Sequence, residues 1–404
     1  MPIRPFIAML LLAPLTLAQE TAPPLFAADT PIIDYQNPQL PTYGRLGMVV
    51  SPEKLAAEIG LDLLRQGGNA IDAAVATGFA LAVTLPRAGN LGGGGFMLVH
   101  LAETDEQIFI DYRETAPAAA TRDMFLNADG TVNRAKAYFS RQAAGVPGTV
   151  AGLVHAHTQY GKLPLATVIQ PAIDLAEQGF DTPLALHMSL TSRAERLVMD
   201  PEAKRIYLQG TAKAPAPGAV FKQPDLARTL QRIRDKGRDG FYQGETAALI
   251  AADMAANDGL ITTDDLAGYR ALERSPVRGI FKEFEIVSVA PPSSGGVHVL
   301  QMLNLLEPYP LKSYGHNSAA YLHRLIESMK LAYADRSRYL GDPDQTVVPT
   351  DALISKSYAD ERRQLIAANR ANTAETVGPG NPIPAESRDT THYSVADADG
   401  NVVA

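Results

Sequence analysis

The chain has no cysteine. That excludes disulfides, cysteine-ligated zinc, iron–sulfur clusters, thiol nucleophiles and a lipid anchor on cysteine. Tryptophan is absent too, so any apolar site must be built from Phe, Tyr, Leu and Met. Basic residues are outnumbered, 36 against 44 acidic, and the two signs are interspersed, for a net charge of −8. A phosphate backbone calls for a clustered basic footprint, so no nucleic-acid partner is implied. No uninterrupted apolar stretch reaches the roughly 20 residues that a helix needs to cross a bilayer, and no membrane span is expected. Nor does any period indicate a repeat protein.

What is present suffices for a substantial core: 46% of the residues are hydrophobic and 20% charged. A length of 404 residues fits two or three ordinary domains or one large α/β domain. The first 18 residues read as a signal peptide. Arg4 supplies the positive end, Phe6 to Leu12 open an apolar segment, and Leu15-Thr16-Leu17-Ala18 offers small residues where cleavage occurs. A periplasmic or secreted protein is therefore expected. Residues 19–41, rich in proline from Thr21 onward, read as a leader into the fold.

Ser51-Pro52-Glu53 reads as a helix start, with a hydroxyl cap and proline at the first turn. Leu55, Ile59 and Leu63 share one face, and Gly67-Gly68 stops the helix. Asn69 caps a second helix, Ala70 to about Val83, that is apolar on nearly every side and therefore buried. A loop ending in Gly92-Gly93-Gly94-Gly95 leads into two apolar strands, 96–101 and 107–112. The order helix, helix, loop, hairpin predicts a layered α/β start. Helices are expected next at about 149–160 and 165–178, and helical periodicity continues to Asn257. A strand at 286–290 runs into Pro291-Pro292-Ser293-Ser294-Gly295-Gly296, read as a helix start, and helices at 297–306 and 318–339 complete this part. From Ala367 to Asp389 the composition turns to Asn, Ala, Thr, Gly, Pro and Glu, as in an exposed, mobile linker. Thr390 to Ala396 is a strand, Asp397 to Asn401 a hairpin turn, and Val402-Val403-Ala404 the start of a return strand, expected to be a bare edge.

A linker joined directly to a threonine-led strand is the layout of a self-cleaving precursor. A threonine hydroxyl is a poor nucleophile and needs an adjacent base. If the bond before Thr390 breaks, the freed α-amine becomes that base on the same residue, and its pKa of roughly 7.7–8.0 leaves part of it unprotonated near neutrality. By itself, Thr-Thr in a strand is ordinary β-propensity.

Six segments carry a resemblance: 67–76 (GGNAIDAAVA), 89–98 (GNLGGGGFML), 111–117 (DYRETAP), 145–150 (GVPGTV), 291–296 (PPSSGG) and 334–342 (ADRSRYLGD). With Thr390-Thr391-His392-Tyr393-Ser394, and in this order, they resemble the γ-glutamyltransferases of the Ntn-hydrolase superfamily. The resemblance covers the large subunit and the first strand or so of the small one. It implies an α+β fold of the αββα four-layer sandwich type and self-cleavage between Asp389 and Thr390. It further implies a large subunit over residues 42–389, with 367–389 as the linker, and a small catalytic subunit beginning at Thr390, the two forming a heterodimer. Thr390 would take the γ-glutamyl group from glutathione or a related γ-glutamyl compound and pass it to water, an amino acid or a dipeptide. No metal or organic cofactor is required.

An arginine after a strand is ordinarily a surface residue; the surrounding motif is what assigns Arg113 to the donor's α-carboxylate. A planar guanidinium suits that task, since two parallel N–H bonds fix both orientation and charge. The four glycines are read as close backbone packing, because no Gly-Lys-Ser/Thr comes after them. His392 is read as structural. Most of the family's small subunit has no counterpart in these 404 residues, and the chain as written is expected to be truncated and inactive. The alternatives are a cephalosporin or glutaryl acylase on the same scaffold and a non-catalytic secreted fragment.

Overall fold

The computed structural model describes residues 41–377 and 394–404. The strands, in chain order, are β1 (Met48–Val50), β2 (Phe96–Leu101), β3 (Glu106–Asp111), β4 (Phe180–Asp181), β5 (Val220–Phe221), β6 (Leu272–Arg274), β7 (Val277–Phe281), β8 (Phe284–Ser288), β9 (Ser394–Ala396) and β10 (Val402–Val403). Eight helices build the layers that position the site: α1 (Lys54–Arg65), α2 (Ala70–Thr84), α3 (Thr149–Tyr160), α4 (Leu165–Gln178), α5 (Pro224–Lys236), α6 (Gly295–Leu306), α7 (Ala319–Tyr339) and α8 (Lys356–Arg363).

Six strands form one antiparallel sheet in the order β1-β9-β10-β2-β3-β6. Alternation sends Met97, Val99, Ile108, Ile110, Val395 and Val403 to one face, where they join the main core. That face is covered by helices, chief among them α2, whose fifteen residues are all buried. An all-round apolar helix has no polar face to give to water, so it is sandwiched between α1, α3, α4 and the sheet. Its start is secured by a capping box: Asn69 accepts from the Asp72 amide and Asp72 from the Asn69 amide, each at 3.0 Å. The same buried Asp72 carboxylate accepts from the amides of Lys162 and Leu163 beyond α3. On the opposite face, Phe96, Leu98 and Val402 are only partly covered among the described residues.

A second layer of helices, α6, α7 and α8, has its own small core of Leu305, Leu331, Ala359 and Ile366. The β7–β8 hairpin packs on α6.

Four sequence expectations are corrected. Ser51 does not cap α1: its hydroxyl accepts from the Glu53 amide, and the Glu53 carboxylate caps the helix through the Ala56 amide at 3.0 Å. The strand expected at 286–290 is β8, two residues earlier, because it is registered by its hairpin partner β7. The return strand at 402–404 is not a bare edge. It lies between β9 and β2, and Ala404 exchanges both backbone bonds with Leu98. The first part of the expected linker, 367–377, is not detached from the fold. Asn372 is bound to the buried Glu327 carboxylate through its amide and side chain, and Val377 is buried. The rest of that segment, 378–389, lies outside the described residues, as do the signal peptide and most of the leader.

Candidate active site

The register of the sheet brings the predicted elements to one end. Val50↔Ser394, Val403↔Val395, Val403↔Val99, Phe96↔Asp111 and Asp111↔Leu272 place the start of β9 and the end of β3 at the same edge. Arg113 stands two residues past that end of β3. Three strand spacings separate β9 from β3, about 14 Å at roughly 4.8 Å each. Thr390, Asp389 and His392 lie outside the described residues; Ser394 is the first residue of their arm whose place is known.

The backbone of Arg113 is clamped from both sides. Its amide donates to Asp111 Oδ1 at 3.1 Å, and its carbonyl accepts from the Tyr269 hydroxyl at 2.8 Å. Asp111 is in turn fixed by Arg274, whose Nε donates to Asp111 Oδ2 at 2.8 Å. The same guanidinium forks onto Asp344 at 3.0 and 2.6 Å. The Arg274 guanidinium holds the Asp344 carboxyl below the usual carboxylate range, and the two carboxylates keep Arg274 more firmly protonated than usual.

The head of Arg113 is different. It is exposed, donates to the Pro292 carbonyl at 3.3 Å, and lies 5.8 Å from the Phe96 ring centroid. Among the described residues no carboxylate pairs with it. It borders a cleft of about 410 Å³ between the sheet end and the α6–α7 layer, with Ser294, Arg336 and Asp342 on the far wall. A second cavity, about 680 Å³, shares Glu114 with it as a wall, is lined also by Tyr112, and reaches Leu98 and Ala404 over the neighbouring strands. The groove thus runs from Arg113 toward β10. A larger cavity of about 760 Å³, between Pro86 and the start of α5, contains no predicted site residue.

Gly93, Gly94 and Gly95 serve close packing, as expected, whereas a Cβ on Gly92 would meet only ordinary contact. Tyr112 fills the space under the groove, and its hydroxyl is held well above its ordinary pKa by burial. A Cβ on Gly94 would sit 2.5 Å from the Tyr112 carbonyl oxygen, and one on Gly152 would sit 2.1 Å from its ring. Gly148 donates its amide to the Gly93 carbonyl at 2.7 Å, tying the start of α3 to the glycine loop. Tyr269 is stacked on Tyr242, centroids 5.7 Å apart, and Tyr242 donates to the Pro147 carbonyl at 2.7 Å. The Ser293–Gly296 stretch is the helix start expected of it, opening α6; Ser294 Oγ accepts from Arg336 Nε at 3.2 Å. Sequence reasoning missed Tyr269, Arg274 and Asp344. They lie 156 to 231 positions from Arg113 (269 − 113 and 344 − 113), with no shared motif to flag them.

Comparison with known proteins bears on the family and the fold. A family model described as gamma-glutamyltranspeptidase matches residues 56–404. The chain is 46% identical over 364 residues to the glutathione hydrolase proenzyme of Escherichia coli (strain K12), covering 90% of this chain and 63% of that sequence. It is 42% identical over 381 residues to the Acylase ACY 1 proenzyme of Pseudomonas sp. (strain SE83), covering 92% of this chain and 67% of that one. The solved structure of Helicobacter pylori gamma-glutamyltranspeptidase superposes with a TM-score of 0.82 at 42% identity, covering 87% of this chain and 100% of that chain. The fold is therefore the Ntn-hydrolase class expected from the sequence, and the described residues supply a helical layer and one large sheet of it. The chain spans just under two thirds of the length of the glutathione hydrolase proenzyme it matches. By the family-model match over most of its length, its identity to curated relatives and its shared fold, this chain belongs to the gamma-glutamyltranspeptidase family.

Proposed function

We propose that this chain is the large-subunit part, with the opening strands of the small subunit, of a secreted enzyme that transfers γ-glutamyl groups. On this reading residues 1–18 are a signal peptide, 19–41 a leader, 42–389 the large subunit and 390–404 the start of the small one. Cleavage between Asp389 and Thr390 frees the α-amine of Thr390, and the two products stay together as a heterodimer. The Thr390 hydroxyl then attacks the γ-carbonyl of glutathione or a similar amide and passes its proton to that amine. The tetrahedral oxyanion collapses, the C–N bond breaks, and the leaving amine takes the proton. Water or the amine of an amino acid or dipeptide attacks the resulting ester and restores the hydroxyl.

Arg113 holds the α-carboxylate of the donor. The observation that carries the reading is the contrast between its two ends: the backbone is clamped by Asp111 and Tyr269, while the cationic head faces a cleft without a carboxylate partner among the described residues. A rigid base and an uncommitted fork are what recognition of a planar anion requires. The groove from Arg113 toward β10 points the donor toward the strand pair that carries the Thr390 arm.

The 42% identity to an acylase proenzyme favours a second reading, in which the acyl group is another side-chain amide on the same scaffold. The two separate on substrate. In a protein carrying this chain together with the remaining length of its relatives, γ-glutamyl p-nitroanilide and glutaryl p-nitroanilide differ only in the donor's α-amino group, since both carry the carboxylate. The γ-glutamyl reading predicts a higher kcat/KM for the first, and a preference for the second overturns it.

A further inference from the structure

We infer that Asp397 is a positioning residue that fixes the β9–β10 hairpin on the amino end of α2, and thereby sets where the arm leading into β9 begins. Asp397 is the first residue after β9, and all its capacity is used. Oδ1 accepts from the amides of Asp399 at 3.0 Å and Asn401 at 2.9 Å, which closes the turn. Oδ2 accepts from the Asn401 side chain at 2.7 Å and from the Ala70 amide at 3.0 Å. The last bond joins residues 327 positions apart.

The Ala70 amide is the first of the four donors that a helix leaves unsatisfied at its amino end. Asn69 serves the Asp72 amide and leaves Ala70 to Asp397. A carboxylate there also meets the positive end of the α2 dipole. Asn401 completes the clasp from the other side, its Oδ1 accepting from the Ala102 amide just past β2 at 3.1 Å. The turn is thus bolted to a fully buried helix and to the neighbouring strand. Two short strands of three and two residues would not hold register on backbone bonds alone. The consequence for catalysis rests on the reading of Thr390 given above, since Thr390 lies seven residues before Asp397 on the same arm. The clasp itself rests on the described contacts.

The test uses Asp397→Asn and Asp397→Ala in the full-length protein, with Asp129→Asn, in an exposed turn, as control. Hydrogen exchange at Ala70, Val395 and Val403 reads the clasp. A cap of this kind corresponds to roughly a five- to thirtyfold change in local opening. Both Asp397 variants are expected to lose protection by about that factor at these amides, with Ile108 and Ile110 in β3 unchanged. Protection equal to the parent in both variants would overturn the inference. The second readout is the rate of cleavage at Asp389–Thr390 and, in cleaved protein, kcat against KM. Positioning predicts slower cleavage and lower kcat with KM held within about twofold, since the donor's carboxylate contact at Arg113 is untouched. Unchanged cleavage and kcat beside lost protection would reduce Asp397 to a purely structural cap and overturn the positioning role. If the parent itself is not cleaved, the reading of Thr390 fails, while hydrogen exchange still decides the clasp.

Discussion

On the proposed reading, replacing Arg113 separates donor binding from folding. Its guanidinium is exposed and makes one 3.3 Å bond to a backbone carbonyl and a 5.8 Å approach to Phe96. Neither contact is buried, so Arg113→Gln should change stability by no more than about 0.5 kcal/mol. The expected loss lies with the donor. Hydrogen bonds to charged groups contribute about 1.5–3 kcal/mol each. Arg113→Lys keeps the charge but loses the fork and one bond, so kcat/KM should fall roughly 10- to 150-fold at 1.4 kcal/mol per tenfold. Arg113→Gln loses both bonds and the charge. Allowing for solvent in the open cleft, the fall should be about 3–4 kcal/mol, or roughly 10²- to 10³-fold. The assay is release of p-nitroaniline from γ-glutamyl p-nitroanilide, paired with a thermal melt of each variant. A donor without an α-carboxylate should be nearly indifferent to the substitution. Retention of kcat/KM within about threefold in Arg113→Gln, or an equal loss on both donors, would refute the assignment.

Two further outcomes are expected from the packing and the charges. Gly152→Ala puts a Cβ 2.1 Å from the Tyr112 ring, which is buried against the glycine loop, so ring or helix must shift to admit it. Overpacking of this kind costs typically 1–3 kcal/mol, and here about 3 or more is expected; an unchanged denaturant midpoint would contradict it. Glu327 gives a pH signature. Burial pushes its carboxyl up, but the Lys330 ammonium at 2.7 Å and the Asn372 donors outweigh it and hold the group below its ordinary value of about 4.3. A depressed folded pKa stabilises above the unfolded value and is lost as pH falls through the folded one. Glu327→Gln should therefore melt lower than the parent at pH 7, with the gap closing on acidification; a gap that stays constant with pH would contradict this.

Much of the fold was legible because its signals are local. Asn69 with Asp72 three residues on, the apolar run to Thr84 and the two strands around a polar turn announce α2, β2 and β3 without help from the rest of the chain. One of the errors is local and the others come from distant contacts. Ser51 looks like a cap, yet the choice between Ser51 and Glu53 was made by which side chain reaches the Ala56 amide. Val402–Ala404 looks like a bare edge only if β2 is left out of account, and β2 lies some 300 positions away. Asn372 sits in a linker-like composition, but a buried carboxylate on α7 claims it. The candidate site divides the same way. Arg113 is proposed from the motif around it, whereas Tyr269, Arg274 and Asp344, which hold its backbone, are brought in by tertiary contact alone.

The proposed activity turns on a single bond, the one between Asp389 and Thr390, and on the amine its cleavage would release. Intact-mass analysis of the protein carried to the length of its relatives tests this most directly, alongside its Thr390→Ala variant. Two chains whose masses meet at that bond, with the variant left as one uncleaved and inactive chain, is the predicted result. A parent that remains a single chain while turning over γ-glutamyl p-nitroanilide, or a variant as active as the parent, would contradict it.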